Sequence, residues 1–401
     1  MKSKNKNICL LPWLHVFADS KGGLIPCCLY REQAGEKSFN LHKSEDLKNY
    51  WSSQQLKSLR QQFLDGEKPI GCQACFEHEE AGIPSYRQGQ SQLLKSTIDE
   101  ATDFSIDPPY QPVSFDLRLG NICNLKCNMC GPHSSKLILK DLLKEDPTRA
   151  QLEEFKSYMN INWFEKEEIW NQLLSSQGQI MQIHLTGGEP LIMPEVEVLL
   201  RMLIKKNLSK QIILSFNSNV TTLRDSTTRL FNSFKGVKIH ASIDAIGKLS
   251  EFIRYPSNWD KVKNNIEELA SKRLQYNIIE FQIHSTIQNE NIFQLPTLLE
   301  FIESQDYLNF DEFNFFPLEG PPWHNIRYLP DSIKNEVRKK YSLAKYGKNI
   351  LQSVLKIMDQ GKEDPNMFRQ FKNLTLKRCS ERGFNWDELA PEYMDFFTSP
   401  N

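Results

Sequence analysis

The 401-residue sequence has no apolar run of the roughly twenty residues that a membrane-spanning helix needs. No signal-like apolar core with a small-residue cleavage site follows the basic residues near Met1. Charge of one sign is not in excess either, because 49 Lys and Arg stand against 50 Asp and Glu. The balance favours neither a nucleic acid nor an anionic membrane as a partner. These absences predict a cytoplasmic protein, and its length suits one large domain with one or two small ones.

Cysteine, by contrast, is well represented, and the nine residues cluster along the chain. In a chain without secretory features, clustered cysteines are more often metal ligands than disulfide partners. Five lie in the N-terminal part, three lie close together in the middle, and Cys379 stands alone as a predicted structural thiol. The N-terminal cysteines are Cys9, Cys27, Cys28, Cys72 and Cys75, and the middle group is Cys123, Cys127 and Cys130.

The middle group lies in Asn121–Gly131, with three and then two residues between the cysteines. An alternating strand at Val113–Leu119 precedes it, and Ser135 can cap a helix after it, which predicts a strand-to-helix loop. Soft thiolates select zinc, copper(I) or an iron–sulfur cluster. Since a cluster usually takes four cysteines, a trio leaves one iron open to a non-protein ligand. Zinc completed by a distant histidine is the alternative.

Two later segments complete a recognisable pattern. Leu185–Leu191 reads Leu-Thr-Gly-Gly-Glu-Pro-Leu after a predicted strand, and Ser242-Ile243-Asp244 ends another strand. Together with the cysteine spacing, these segments resemble the radical S-adenosylmethionine (SAM) superfamily. The resemblance implies that Cys123, Cys127 and Cys130 hold a 4Fe–4S cluster whose open iron binds the amino and carboxylate groups of SAM.

The same resemblance implies a set of cofactor contacts. Met129 takes a position that commonly holds an aromatic residue over the adenine, and Arg254 matches an arginine that pairs with the SAM carboxylate. Asn217 and Asn219 could reach ribose or substrate, or could be ordinary turn asparagines, since Val220 departs from the family's glycine. No catalytic residue is predicted. The implied set is Met129, Gly187, Gly188, Glu189, Pro190, Asn217, Asn219, Ser242, Asp244 and Arg254.

The N-terminal cysteines form a second candidate site. A hairpin of Leu14–Phe17 with Leu24–Cys28 would bring Cys27 toward Cys9, and the spacing fits structural zinc or a four-cysteine cluster equally. Cys-x-x-Pro-Trp followed by Gly-Gly-Leu-Ile-Pro-Cys-Cys resembles the auxiliary-cluster motif of SPASM and Twitch domains, and the single-cluster Twitch type fits better. Unlike the usual order in that family, this domain precedes the barrel. The implied ligands are Cys9, Cys27, Cys72 and Cys75, with Cys28 as the alternate to Cys27.

From Val113 onward strands and helices alternate, which predicts βα units and a parallel sheet. Six strands are predicted at Val113–Leu119, Ile180–Leu185, Gln211–Phe216, Val237–Ile243, Ile278–Ile287 and Glu312–Phe316. The predicted fold class is α/β, a partial (β/α)6 barrel of the radical SAM type with a small N-terminal Twitch-like domain and a helical C-terminal extension. The predicted domains are 1–90 (auxiliary iron–sulfur domain), 91–112 (linker), 113–320 (barrel) and 321–401 (extension).

The resemblance implies an enzyme that reductively cleaves SAM to a 5′-deoxyadenosyl radical. That radical would abstract hydrogen from a peptide or small natural-product substrate, with an auxiliary 4Fe–4S cluster assisting. The implied partners are the substrate and a reductant such as flavodoxin or ferredoxin, and neither nucleic acid nor membrane. The alternative is a zinc-stapled, catalytically silent binding protein on a barrel scaffold.

Overall fold

A computed structural model describes residues 7–43, 46–80, 85–95, 104–108, 111–174 and 180–398. The chain divides into two compact units. The first contains Met1–Ile122, Pro132–Phe216 and Arg229–Val237, and the second contains Cys123–Gly131, Asn217–Thr228 and Lys238–Asn401. Among the helices of the described ranges, none combines the length and apolarity needed to span a membrane. The domain boundaries at 90, 112 and 320 stay a prediction.

The described residues contain eight strands, and their pairing is mostly parallel. These are β1 (His15–Ala18), β2 (Leu24–Ile25), β3 (Ser114–Arg118), β4 (Gln182–Thr186), β5 (Ile213–Ser218), β6 (Gly236–Ser242), β7 (Ile278–Ile287) and β8 (Phe313–Pro317). In the first unit the strand order is β2-β1-β3-β4-β5. Strands β1 and β2 pair antiparallel, whereas β1 with β3, β3 with β4 and β4 with β5 pair parallel. In the second unit β6, β7 and β8 follow in that order, and β7 is parallel to β8. The hairpin and all six predicted strands are therefore present.

Helices connect the strands and make up the C-terminal region. They are α1 (Leu11–Leu14), α2 (Asp46–Trp51), α3 (Gln54–Leu64), α4 (Gln73–Glu80), α5 (Tyr86–Leu94), α6 (Lys136–Glu145), α7 (Glu153–Met159), α8 (Glu167–Leu173), α9 (Pro194–Lys205), α10 (Asp225–Thr228), α11 (Gly247–Ile253), α12 (Trp259–Ser271), α13 (Leu295–Glu303), α14 (Asp331–Ser342), α15 (Lys348–Met358), α16 (Pro365–Arg382), α17 (Trp386–Leu389) and α18 (Met394–Thr398).

The local signals that predicted these elements are visible in the structure. Ser135 caps α6, because its side chain accepts a hydrogen bond from the backbone N–H of Ile138. Strand β4 buries Ile183 and Leu185 while the residues between them stay half-buried, as a period of two requires. The cysteine segment between β3 and α6 is therefore a strand-to-helix loop, as predicted.

Three stretches differ from the sequence-based expectation. Apolar residues at roughly helical spacing predict a single helix over Asp331–Gln360. The structure has two helices there, α14 and α15, because Gly347 takes the left-handed conformation at φ +65° between them. The alternation of strands and helices also predicts a helix over Thr222–Phe234, after the third barrel strand. The structure has only the short α10 and a 3₁₀ turn there. Helix α5 occupies the beginning of the stretch predicted as a polar linker, and a capping box of Ser85 and Gln88 starts it.

An aromatic cluster organises the C-terminal helices of the second unit. Phe371 of α16 is fully buried at its centre. Its ring centroid lies 5.7–6.1 Å from four other rings, in the edge-to-face or tilted arrangements that aromatic pairs prefer. Those rings belong to Phe368, Trp386, Tyr393 and Phe397. The cluster holds α16 against α17 and α18.

We expect Phe371→Ala to lower the free energy of unfolding by about 3–5 kcal/mol, because it removes a buried ring and leaves a cavity. Leu376→Ala on the same helix is the matched control, since Leu376 is exposed, and it should change stability by less than about 0.5 kcal/mol. Chemical denaturation followed by circular dichroism measures both. Equal losses of stability in the two variants would show that Phe371 is not at the centre of this aromatic cluster.

Candidate functional site

The three cysteines of the middle group lie together in the second unit. The Cys127 and Cys130 thiols are hydrogen-bonded to each other. That bond and burial raise the pKa of Cys130, and the nearby Cys123 adds to the effect. The Cys130 thiol and the positive charges of Arg254 and Arg382 lower the pKa of Cys127, although burial acts against them. The loop thus presents three soft donors, and its surroundings favour the thiolate form at Cys127.

Backbone hydrogen bonds hold this loop beside Arg254. The N–H of Lys126 donates to the carbonyl of Tyr255 at 2.5 Å, and the N–H of Asn128 donates to that of Ile253 at 2.9 Å. These two bonds bracket Arg254, whose Nε lies 2.8 Å from the buried Oδ2 of Asp244. Burial would lower the pKa of Arg254, but Asp244 and the thiols raise it above its usual value. The predicted pair Asp244 and Arg254 therefore adjoins the cysteines.

Asn219 ties a second segment to the same loop. Its Nδ2 donates to Oδ1 of Asn124 at 3.1 Å and lies 4.0 Å from the Cys123 sulfur. The amide of Asn124 in turn donates to the Thr221 hydroxyl at 2.8 Å. Between Asn219 and Thr221, the buried Val220 takes φ +47°, a conformation that favours glycine. This backbone geometry accounts for the family's glycine at the position where the present chain has valine.

The glycines of the Gly-Gly-Glu-Pro loop pack against the chain itself in the first unit. A Cβ on Gly188 would lie 2.0 Å from the carbonyl oxygen of Ile122. A Cβ on Gly187, which has φ +119°, would lie 2.9 Å from the nitrogen of Leu119. Both glycines therefore permit a close approach to the segment that leads into the cysteine loop. Their role as SAM contacts stays a prediction.

The remaining predicted SAM contacts are placed as follows. Glu189 is buried, its N–H donates to the carbonyl of Ile122 at 2.8 Å, and Pro190 follows it at the start of a 3₁₀ turn. In the second unit Met129 and Ser242 are half-buried. Asn217 hydrogen-bonds Nδ1 of His240 at 3.0 Å. Their contacts with a cofactor likewise stay a prediction.

Four N-terminal cysteines come together in the first unit: Cys9, Cys27, Cys72 and Cys75. Cys9 precedes α1 and Cys27 follows β2, while Cys72 ends the 3₁₀ turn before α4 and Cys75 lies near the start of α4. Burial raises the pKa of each, to about 12 for Cys9, and neighbouring cysteines add to the effect for Cys9, Cys27 and Cys72. Such a group is stable as thiolates only when bound cations offset the repulsion.

Cys28 has different neighbours from Cys27. Burial raises the pKa of Cys27, and repulsion from Cys28, Cys9 and Cys72 adds to it. Burial also raises the pKa of Cys28, to about 11, and the charge of Asp116 adds to the effect. Arg118 and a hydrogen bond from the Tyr86 hydroxyl to the Cys28 sulfur act against it. Cys27 therefore belongs to the four-cysteine group.

Arg87 is a site residue that the sequence did not single out. It is buried beside the N-terminal group, where its charge lowers the pKa of Cys9, Cys72 and Cys75. It donates to the carbonyl of Ile8 at 2.9 Å. Nothing in the local sequence distinguishes this arginine from an exposed one, since tertiary contacts alone bring it to the cysteines.

Two arginines of α16 contact the middle cysteine loop and were also not predicted. Nη1 of Arg382 donates to Oδ1 of Asn128 at 2.7 Å and to the carbonyl of Phe252 at 2.8 Å. Its Nη2 donates to the carbonyl of Lys126 at 3.3 Å. Arg378 donates to the carbonyl of Asn128 at 3.2 Å. The C-terminal extension thereby supports the two residues that flank Cys127.

A buried polar chain continues behind Asn128. Its Nδ2 donates to Oε1 of Glu290 at 3.3 Å, and Glu290 lies 2.9 Å from Nδ1 of His324. Nε2 of His324 is 3.2 Å from Nη1 of Arg378. Because the arginine can only donate, His324 accepts at Nε2 and donates at Nδ1. Each member of the chain thus has a partner, which limits the movement of the cysteine loop.

Comparison with known families identifies the domains that carry these cysteines. The Radical SAM superfamily profile matches residues 117–301, and the profile of the SPASM iron–sulfur cluster-binding domain matches residues 9–76. The chain therefore contains a radical SAM domain, and a SPASM-type iron–sulfur domain precedes it. The predicted family and fold class are therefore confirmed.

Solved structures of radical SAM proteins are similar at low identity. Native anSMEcpe with bound AdoMet and Cp18Cys peptide is 18% identical with a TM-score of 0.36, over 57% of this chain and 58% of that chain. Streptococcus suis SuiB bound to S-adenosylmethionine is 13% identical with a TM-score of 0.34, over 92% of this chain and 73% of that chain. SuiB bound to the precursor peptide SuiA is 12% identical with a TM-score of 0.35, over 90% of this chain and 73% of that chain. The chain thus spans under two thirds of anSMEcpe. No curated protein matches.

The two matched families imply a SAM-binding 4Fe–4S cluster with SAM, and an auxiliary iron–sulfur cluster, as predicted. The residues present fit both cofactors. The middle loop has three thiols and no fourth cysteine. The N-terminal group has four thiols of raised pKa, and the buried Arg87 acts on three of them. Within the described ranges, no group of three or more His, Cys, Asp or Glu is arranged to hold a single metal ion.

We expect Gly188→Ala to lower the free energy of unfolding by about 3 kcal/mol, because the new Cβ would meet the Ile122 carbonyl and force the loop away. Gly89→Ala is the matched control, since a Cβ there has no atom within 4 Å. Thermal denaturation of both variants makes the comparison. Gly188→Ala as stable as Gly89→Ala would show that the loop does not pack as described.

Arg382→Met should lower the free energy of unfolding by about 2–4 kcal/mol, because it leaves the amide of Asn128 and two carbonyls without their charged donor. Arg338→Met serves as the control, because Arg338 is exposed in an ion pair with Asp359 and such pairs contribute little. Denaturant titration reports the difference. If the two variants lose the same stability, α16 does not support the cysteine loop.

Proposed function

We propose that this protein is a radical SAM enzyme that abstracts hydrogen from a peptide or small natural-product substrate, assisted by an auxiliary 4Fe–4S cluster. The observation that carries the proposal is the cysteine loop with Arg254 and Asp244 beside it. A soft three-donor set next to a buried cation suits a cluster whose remaining iron takes an anionic, non-protein ligand.

The chain's own residues would bind and orient the cofactors. Cys123, Cys127 and Cys130 would be the cluster ligands, and the guanidinium of Arg254 is suited to the SAM carboxylate by its fork geometry. When bound, SAM and the reduced cluster supply the radical chemistry, which is the cofactors' own. Asn219 and Arg382 would keep the loop in place while SAM binds. The proposed SAM contacts are Met129, Gly187, Gly188, Glu189, Pro190, Asn217, Asn219, Ser242, Asp244 and Arg254.

The auxiliary cluster would bind to the N-terminal group. We assign its ligands as Cys9, Cys27, Cys72 and Cys75, because each of these thiols lies near other members of the group or the shared cation Arg87. Cys28 is not assigned, since its sulfur accepts from Tyr86. The proposed limits remain 1–90 for this domain, 113–320 for the barrel and 321–401 for the extension, with 91–112 as linker.

A peptide is the substrate class we favour, because SPASM-type domains are commonly associated with peptide modification, an analogy at the family level. A flavodoxin or ferredoxin would deliver the electron. Nine free cysteines, seven of them assigned to clusters, suit a reducing compartment. We therefore also propose a cytoplasmic location.

The test is anaerobic reconstitution followed by metal analysis and assay. Wild-type protein should bind about eight irons, four per cluster, and convert SAM to 5′-deoxyadenosine in the presence of dithionite. Cys130→Ala should lose the SAM-responsive cluster and form no 5′-deoxyadenosine, while Cys72→Ala should lose only the auxiliary iron. Cys379→Ala is the matched control, since this buried thiol lies in neither group, and it should keep both clusters.

A colourless protein that contains zinc would instead support a zinc-stapled binding protein. Iron binding without any 5′-deoxyadenosine from the wild-type protein would refute the proposed enzyme activity.

A further inference from the structure

Strands β6 and β7 carry a row of polar side chains that the assignments above leave without a function. On both strands one face is buried, as at Ile239, Ala241, Phe281 and Ile283. The residues between them point to the opposite face, because side chains alternate along a strand. We call this the open face of β6 and β7; it consists of Lys238, His240, Glu280, Gln282 and His284, all half-buried.

These side chains form one hydrogen-bonded and stacked group. Nζ of Lys238 lies 2.7 Å from Oε2 of Glu280, and Nε2 of His240 lies 3.3 Å from the other carboxylate oxygen. Nδ1 of His240 is 3.0 Å from the amide oxygen of Asn217, so both ring nitrogens of His240 face acceptors. The rings of His240 and His284 are stacked, with centroids 4.3 Å apart. The group therefore holds His284 in one orientation.

The hydrogen bonding of His284 leaves one atom available. Its Nε2 is 2.9 Å from Oε1 of Gln282 and must donate there, because an amide oxygen only accepts. Burial and the charge of His240 lower the pKa of His284 to about 3, so the ring is neutral near pH 7. Its Nδ1 is then an acceptor, and no donor among the described residues is hydrogen-bonded to it. The centroid of the His284 ring lies 5.1 Å from that of the Phe316 ring.

The open face lies next to the proposed SAM contacts. Ser242 follows His240 on the same face of β6, roughly 7 Å along the strand at about 3.3 Å per residue. The N–H of Ile243 donates to the carbonyl of His284 at 2.9 Å, and the N–H of Thr286 donates to Asp244 at 2.8 Å. His284 is thus level with the end of β6, where a molecule that reacts with bound SAM must reach.

We infer that the open face of β6 and β7 binds the substrate, and that Nδ1 of His284 accepts a hydrogen bond from a neutral hydroxyl group of that substrate. The inference rests on the proposed function, since it takes Ser242 and Asp244 as SAM contacts. A neutral donor is favoured over an ion because Lys238 and Glu280 already neutralise each other. The rings of His284 and Phe316 provide an apolar border for the carbon that bears this group.

The test uses reconstituted holoenzyme and N-acetyl tripeptide amides in matched pairs, each deuterated at the central residue. The pairs are Gly-Tyr-Gly with Gly-Phe-Gly and Gly-Ser-Gly with Gly-Ala-Gly, so that members differ only in the hydroxyl. Anaerobic reactions with SAM and dithionite are analysed by mass spectrometry for deuterium in 5′-deoxyadenosine. In the wild-type enzyme the hydroxyl-bearing member of at least one pair should transfer deuterium about three- to tenfold faster, the ratio that one neutral hydrogen bond gives.

Two variants of His284 distinguish the effect of its hydrogen-bond acceptor from the effect of its aromatic ring. His284→Phe keeps an aromatic ring for stacking and removes the acceptor, so it should lose this preference. His284→Asn places an amide oxygen near the position of Nδ1 and should retain it. His42→Phe is the matched control, since His42 lies outside the open face, and it should behave as wild type. The 5′-deoxyadenosine formed without peptide should be the same in His42→Phe and in the wild-type enzyme.

Three outcomes would overturn the inference. These are equal transfer from both members of every pair in the wild-type enzyme, transfer from no peptide while 5′-deoxyadenosine still forms, and a preference that survives His284→Phe. Failure of the proposed function has a different signature, because the wild-type enzyme would then form no 5′-deoxyadenosine at all.

Discussion

Three thiols can share one small volume only when the loop that carries them is held by its surroundings. Their charges repel each other, and a loop of this kind lacks the regular backbone bonds of a helix or a strand. In this protein the segment around Arg254 bonds to the backbone of the cysteine loop, and Asn219 bonds to its side chains. Helix α16 adds Arg378 and Arg382. Most other features of the second unit can be understood as support for this loop.

Arginine recurs beside the cysteines of both groups. Arg254 and Arg382 lower the pKa of Cys127, and Arg87 acts in the same direction on Cys9 and its neighbours. A nearby cation favours a thiolate over a thiol, and a thiolate is the form that binds metal. Because these arginines are themselves fixed by carbonyls and carboxylates, they stabilise the binding form before any metal arrives.

Much of the architecture could be predicted because its signals are local. Alternating residues indicated β3 to β8, and a serine indicated the start of α6. The cysteine spacings and the Gly-Gly-Glu-Pro loop indicated the family. Helix ends were predicted less well. Gly347 divides the helix expected over Asp331–Gln360. The apolar residues keep their helical spacing on both sides of Gly347, so the sequence pattern does not show the break that its left-handed backbone makes. The domain limits and the individual SAM contacts remain predictions.

The sequence by itself determined which segments become strands and which loops carry cysteines. Periodicity and capping act over a few residues, so they can be recognised in a linear chain. Only the tertiary structure decided that Cys27 joins the N-terminal group while Cys28 meets Tyr86, and that Arg382 bonds to Asn128, 254 residues away in sequence. Such contacts depend on where whole elements pack. A lone arginine or one of two adjacent cysteines has no local pattern that would reveal its partner.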